Sequence, residues 1–400
     1  MSPATEFRSA GASLHQAVSL PEGYRRPSSK ELRPAFAVRA MRAFQSLLFA
    51  GPAPSVDLLV TTVTGPTASD PVGFDAYVYL GFAGWNTDQF MNTLVDSGNT
   101  TLIVPRWEDI AAIPGWQSLY TILGSGPEPW GCPANVVRGP IQIATADGQS
   151  LTIPNCEFYA CTGGSSRTSN FGAGCVTPWS ASFYNTYGTT AGGTAVLQSP
   201  LSYLTDYPLA EFHFAGSAAS PSTTPSVSET SVLRLHSTAP TGFTMMDIVP
   251  ATQWMALRPQ SLMIGGTTTQ WPGAAEAIAM LDTGGGPAYL SDPSGYVYGG
   301  DWLPSANNPN WTNNPKPKST NCVSTLASVA ITLGDGKNSF SYTINESLLP
   351  ESTQGLVLVM CEDNGYMFSK YGMNIGGISM LALRMLIDFQ NAKVGLAPAS

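Results

Sequence analysis

The sequence predicts an all-β protein, and three observations carry that expectation. Charged residues make up only 11% of the 400 residues, well below the roughly 25% usual in soluble domains. Forty glycines and 32 prolines supply turns throughout. Short apolar runs bounded by turn residues recur along the chain, the pattern of largely buried strands. With 43% apolar residues, a chain of this length can bury a large core or two cores of ordinary domain size.

Residues 1–23 read as irregular. From Ser28 the pattern turns helical, with Ala37, Met41, Phe44 and Leu48 on one stripe and Arg39 and Arg42 beside it. Strand signals begin near residue 57: Leu58-Leu59-Val60, then Tyr77 to Phe82, then Phe90 to Val95. Tyr120 to Gly126 reads as a strand entering a glycine-rich turn, and Ile141 to Ile153 as a hairpin turning at Asp147-Gly148. Residues 216–231, rich in Ser, Thr and Pro, read as a linker or long surface loop, and residues 300–320, dense in Asn and Pro, as a second loop. Val329 to Phe340 repeats the hairpin pattern with Asp335-Gly336.

Charge and cysteine content exclude some functions. The net charge of −9 divides into +4 over residues 1–50 (seven basic, three acidic) and −13 over residues 51–400 (eleven basic, twenty-four acidic). So acidic a body repels phosphates, and no nucleic-acid partner is expected. No run approaches the 18 or more apolar residues of a membrane span, and residues 1–20 lack the continuous apolar core of a secretory signal. The basic helical segment reads either as an arm docking on the acidic body or as an ordinary amphipathic surface helix. Six cysteines permit three disulfides and an oxidising compartment, or free buried thiols. No two of them are separated by only two residues, and the three histidines lie far from them, so no metal site is expected.

The chemistry is carried by one short stretch that occurs twice. The first copy is Leu94-Val95-Asp96-Ser97-Gly98-Asn99, the second Met280-Leu281-Asp282-Thr283-Gly284-Gly285. Each has two apolar residues, then Asp-Ser/Thr-Gly, then a further apolar run; no other Asp-Ser/Thr-Gly occurs, and the aspartates stand 186 residues apart. A single copy is ordinary turn chemistry. Two copies, one per half and each later followed by an Asp-Gly hairpin, form a weak internal repeat that would present two carboxylates together. Such a pair cannot ionise both members readily. The charged member takes a proton from water while the neutral member hydrogen-bonds the carbonyl under attack. Neither metal, cofactor nor covalent intermediate is required. The hydroxyls of Ser97 and Thr283 are placed to bond backbone across the two halves, and Gly98 and Gly284 to let a substrate backbone approach.

These residues resemble the pepsin-like aspartic protease family. Leu80-Gly81-Phe82-Ala83-Gly84 and Phe90 to Val95 resemble its approach to the first aspartate. Asn374-Ile375-Gly376-Gly377, Leu386-Ile387-Asp388-Phe389 and Lys393-Val394-Gly395-Leu396-Ala397-Pro398 resemble its ending. The resemblance spans roughly residues 57–400 and implies a bilobal fold of two β-barrel lobes with a central cleft. The halves would divide as 57–232 and 233–400, with 1–56 in the place of a basic propeptide from which Lys30 or a nearby Arg would reach the aspartates. It further implies a secreted, monomeric zymogen, acting on polypeptides at acidic pH through Asp96 and Asp282, with a disulfide between Cys322 and Cys361. The pairing of Cys132, Cys156, Cys161 and Cys175 stays open. The sequons at Asn99, Asn310 and Asn345 would permit glycosylation of a secreted chain, although a glycan at Asn99 would obstruct the cleft.

The chain departs from the family pattern in three places. Three residues after the aspartates stand Asn99 and Gly285 where the family has a hydroxyl. Leu123-Gly124-Ser125-Gly126 is the nearest match to the substrate-covering flap but lacks its tyrosine, and Trp130-Gly131 is the rival tip. Ile103 stands where a supporting tryptophan is usual. Both aspartates with both hydroxyl neighbours favour an acidic endopeptidase. The altered flap favours the alternatives: a repurposed enzyme doing other acid–base chemistry on a small molecule, or a non-catalytic binder or inhibitor on the same scaffold.

Overall fold

The computed structural model describes residues 54–64, 74–128, 132–163, 169–172, 197–214, 222–227, 231–249, 255–264, 266–270, 277–285, 288–291, 311–313, 322–325, 328–345, 348, 358–361 and 372–399. The helical segment expected from Ser28, the propeptide-like residues 1–53, Lys30, Cys175 and Asn310 lie outside these ranges. The chain is all-β: twenty-five strands lie in three sheets, with one short α-helix, Trp107–Ala111, among the described residues. That helix is too short and too polar to cross a membrane, and no other described helix is long and apolar enough to do so.

One sheet joins the two halves of the chain. Its six strands run in the order Ser55–Leu58, Val232–His236, Leu209–His213, Leu383–Asp388, Lys393–Pro398 and Thr244–Asp247. The central antiparallel pair sets Ala210 opposite Ile387, so the first and second halves of the sequence share backbone hydrogen bonds. Strand alternation sorts the side chains by face. Ala210, Phe212, Leu233, Leu235, Met385 and Ile387 enter the main core. Glu211 lies on the opposite face, where His236 Nε2 meets its Oε2 at 2.8 Å and Arg384 Nη2 meets its Oε1 at 2.6 Å. The expected boundary between residues 232 and 233 falls at the start of the strand Val232–His236, which pairs with Ser55–Leu58 and Leu209–His213.

The other two sheets are built on one repeated arrangement. In the first half, Phe74–Phe82 pairs antiparallel with Met91–Asp96, setting Tyr77 opposite Leu94. The strand Ser169–Gly172 then runs parallel to Met91–Asp96 and antiparallel to Leu102–Val104, with Asn170 opposite both Leu94 and Ile103. In the second half, Ala256–Ile264 pairs antiparallel with Ala279–Leu281, setting Ala256 opposite Met280. Met373–Ile375 runs parallel to Ala279–Leu281 and antiparallel to Ala288–Ser291, with Asn374 opposite both Met280 and Tyr289. The registers agree residue for residue, two before and seven after each aspartate. The weak sequence repeat is thus a repeat of strand pairing.

The two Asp-Gly hairpins form as expected. Gly148 and Gly336 take φ of 85° and 90°, and each preceding aspartate accepts backbone N–H groups of its own turn: Gln149 onto Asp147 at 3.2 Å, Lys337 and Asn338 onto Asp335 at 2.7 Å. Two loop expectations need correction. Ser222–Val227, inside the Ser/Thr/Pro-rich stretch, pairs with Val60–Thr64 across a register shift, and Trp311–Asn313 pairs with Cys322–Thr325. Threonine and serine suit a pleated edge as well as a loop, so polarity alone misassigned both.

Candidate active site

Each aspartate stands where a strand stops. Asp96 ends Met91–Asp96, and Asp282 follows Ala279–Leu281 directly, its N–H donating to Ile375 O at 2.9 Å. Val95 and Leu281, just before them, are fully buried and hold the strand ends in the core. The chain then turns tightly, with Asn99 N–H donating to Asp96 O at 3.3 Å and Gly285 N–H to Asp282 O at 3.2 Å. Both carboxylates are thereby carried to the same place, with Asp96 3% and Asp282 9% exposed.

Ser97 and Thr283 lock the two turns together. Ser97 N–H donates to Thr283 Oγ1 at 2.9 Å, and Thr283 N–H donates to Ser97 Oγ at 2.9 Å. The Ser97 hydroxyl donates to Leu281 O at 2.8 Å and the Thr283 hydroxyl to Val95 O at 2.8 Å. Each hydroxyl thus accepts one backbone N–H and donates to one backbone carbonyl of the other half. Both residues are 1% exposed, so these four bonds form away from competing water, where their loss would be costly.

The glycines of the triplets serve a closer contact than the sequence suggests. A Cβ at Gly98 would lie 2.6 Å from Asp282 Cγ, and one at Gly284 would lie 2.7 Å from Asp96 Cγ. Each carboxylate therefore packs on the glycine of the opposite copy, and any side chain there would drive the pair apart. Beside the expected approach of a substrate backbone, these glycines admit the opposite aspartate. Gly284 N–H also donates to Asp282 Oδ1 at 3.1 Å.

The two residues three positions after the aspartates behave differently. The Asn99 side chain turns to its own backbone, Nδ2 donating to Thr101 O at 2.7 Å and Oδ1 accepting Thr101 N–H at 3.1 Å. Asn99 is buried at 6% exposure, which leaves no room for a glycan at that sequon. At the second aspartate, Asn374 Nδ2 donates to Asp282 Oδ2 at 2.7 Å. The sequence places Asn374 in the C-terminal resemblance and not among the site residues. The signal that would have found it is a second repeat, Asn170-Phe171-Gly172 and Asn374-Ile375-Gly376, whose strands flank the two aspartates in matching register.

The hairpin next to the site corrects the assignment of its tip. Thr121–Pro127 pairs with Pro133–Ala144 as far as Pro127 opposite Pro133, and Glu128 N–H donates to Cys132 O at 2.8 Å. The rival tip, Trp130-Gly131, lies outside the described ranges. Gly124, Ser125 and Gly126 are paired strand residues, and Leu123 is the extra residue of a bulge between Ile122 and Gly124. A bulge re-aims a side chain, and Leu123 packs against the apolar cluster containing Ile103, Tyr159 and Leu197. Leu197 O in turn accepts the Thr100 and Thr101 hydroxyls at 3.3 Å, which ties this cluster to the Asp96 turn.

Cysteine placement revises the expected framework. Cys132 and Cys156 carry free thiols, so the six cysteines do not form three bridges. For Cys156 the reason is register: it faces Gly139 across its strand pair. Burial, and then the charge of Glu157, raises the Cys156 thiol well above its ordinary range. Among the described residues, no group of three or more His, Cys, Asp or Glu could hold a metal ion. No protein-family model matches the chain, and no curated protein matches it.

Proposed function

We propose that the chain is an aspartic-type endopeptidase of the pepsin-like kind, its two halves forming lobes on either side of a cleft floored by Asp96 and Asp282. The observation that carries this reading is the crossed packing of the two triplets, with each carboxylate against the opposite glycine and each hydroxyl bonded into the opposite strand. So symmetric an arrangement brings two acids together within a buried frame. Like charges held that close cannot both persist, so one proton is shared over an acidic interval.

In the reaction, the charged carboxylate takes a proton from a water between the pair as its oxygen adds to the peptide carbonyl. The protonated carboxylate donates to the carbonyl oxygen, which becomes a hydroxyl of the tetrahedral adduct. The C–N bond then breaks as the nitrogen takes the proton that the first carboxylate gained from water and a hydroxyl of the adduct returns a proton to the second, so that an acid and an amine leave and the pair again holds one proton. The paired strands Thr121–Pro127 and Pro133–Ala144 belong to the element that covers the substrate, and Leu123 is held in the apolar cluster with Ile103, Tyr159 and Leu197.

The register that sets Cys322 opposite Cys361 supports the disulfide that the resemblance implies, since directly opposed strand residues lie within the span a disulfide bridges. Residues 1–56 serve as the basic propeptide of a secreted zymogen.

The test is incubation of the full chain with a denatured protein at about pH 3–5, where a carboxylate pair would hold one proton. Cleavage that is lost in both Asp96→Asn and Asp282→Asn is expected. A folded wild type that leaves every protein substrate intact would instead support acid–base chemistry on a small molecule.

A further inference from the structure

The second aspartate lacks the hydroxyl neighbour that would steady its outer oxygen, because position 285 is glycine. The space such a side chain would enter is already taken: a Cβ at Gly285 would lie 3.0 Å from Asp282 Oδ2 and 3.4 Å from Asn374 Nδ2. Asn374 reaches the same oxygen from a different strand, at 2.7 Å, the length of a charge-assisted bond.

Three features make this contact a fixed part of the site. The strand Met373–Ile375 is pinned on one side by parallel pairing with Ala279–Leu281 and on the other by antiparallel pairing with Ala288–Ser291. The backbone of Asp282 is tied to the same strand through its N–H on Ile375 O at 2.9 Å, so donor and acceptor move together. The other oxygen of Asp282 accepts Gly284 N–H at 3.1 Å. Both oxygens are thus engaged as acceptors, the state an ionised carboxylate supports best. Meanwhile Asn374 Oδ1 is buried without a hydrogen-bond partner among the described residues. An unpaired buried acceptor is costly, and an apolar side chain at 374 would avoid that cost, so packing alone does not account for an amide there.

Resting on the aspartic-peptidase reading, we propose that Asn374 is a positioning residue that orients Asp282 and holds it as the charged member of the pair, replacing from a neighbouring strand the hydroxyl missing at position 285. Asp282 is then the carboxylate that takes the proton from water, and Asp96 the one that presents its proton to the substrate carbonyl. Asn374 acts through Asp282, whose Oδ2 it holds.

The experiment compares the pH profiles of kcat and kcat/KM for wild type, Asn374→Leu, Asn374→Ala and the double variant Asn374→Ala/Gly285→Ser. A hydrogen bond to a charged group is strong enough to move a titration by about one pH unit or more. Asn374→Leu should therefore shift the acid limb up by about one unit and lower kcat roughly tenfold, with KM within about threefold. The serine of the double variant, with the amide gone, should return the acid limb most of the way. A merely structural residue would lower activity at every pH without moving the limb, and that result, or no rescue by serine, overturns the proposal. If Asn374→Leu does not fold, Asn374→Ala supplies the same comparison in a smaller side chain. A carbon-13 NMR titration of the Asp282 carboxyl in wild type and variant keeps the two readings apart. If wild type cleaves no peptide, the peptidase reading fails, yet an upward shift of Asp282 titration in the variant still supports the role of Asn374. An unmoved titration overturns it.

Discussion

Replacing Thr283 by valine removes one oxygen and little else, which makes it a clean probe of how the two halves are held together. Valine keeps the volume of threonine, so no cavity opens. What is lost is the acceptor for Ser97 N–H and the donor for Val95 O, at 2.9 and 2.8 Å. Both backbone groups stay buried, since Ser97 is 1% and Val95 0% exposed. Leaving a buried polar group unpaired costs about 1–3 kcal/mol, so two of them predict a loss of about 2–5 kcal/mol, a large share of the roughly 5–15 kcal/mol that holds a typical protein folded. Thr283→Ser keeps the oxygen and should cost less than about 1.5 kcal/mol. Urea unfolding followed by tryptophan fluorescence reads both. A Thr283→Val variant within about 0.5 kcal/mol of wild type would refute the reasoning, because it would mean the crossed hydroxyls are not what joins the triplets.

Four further outcomes are expected. Gly98→Ala places a methyl 2.6 Å from the Asp282 carboxylate and should lower peptide hydrolysis about a hundredfold or more, with circular dichroism showing retained sheet. Burial pushes Glu211 up, but the His236 and Arg384 hydrogen bonds outweigh it and hold the carboxyl at about 2, against an ordinary 4.5. Its stabilisation, about 2–3 kcal/mol after allowance for screening, is therefore complete above about pH 4.5 and is lost as pH falls through about 2; Glu211→Gln should be less stable than wild type at pH 6 and converge with it near pH 2 in thermal melts. Ala392, at φ 50° in the turn before Lys393–Pro398, sits where glycine is unstrained, so Ala392→Gly should gain about 0.5–1 kcal/mol. Mass spectrometry after alkylation without reductant should label Cys132 in the native state and Cys156 only on unfolding, because the first is part-exposed and the second is buried; failure to label both after unfolding would mean that they are bridged.

The class of the fold and the location of the site were legible because they rest on local signals. Low charge, turn residues and short apolar runs dictate strands, and Asp-Ser/Thr-Gly after two apolar residues dictates a strand ending on an acid. The Asp-Gly hairpins were legible for the same reason. What was not legible depends on register between distant segments. That Gly124, Ser125 and Gly126 are paired strand residues could not be read from Leu123-Gly124-Ser125-Gly126, because a glycine pair looks like a turn until the partner strand shows a bulge at Leu123. The free thiol of Cys156 follows from the glycine that faces it across the sheet, and spacing carries no such information. The sequence around Gly98 and Gly284 carries no sign of the opposite carboxylate that packs on each. The role of Asn374 needed two registers at once, although the repeated Asn-apolar-Gly was there to be seen.

A crystal structure of the full chain at about pH 4 would test most directly whether Asp96 and Asp282 form one acid–base pair. One ordered water within about 2.6–3.2 Å of an oxygen of each carboxylate is the expected result, with Asn374 Nδ2 still on Asp282. Carboxylates turned away from each other, or each holding a separate water, would contradict it.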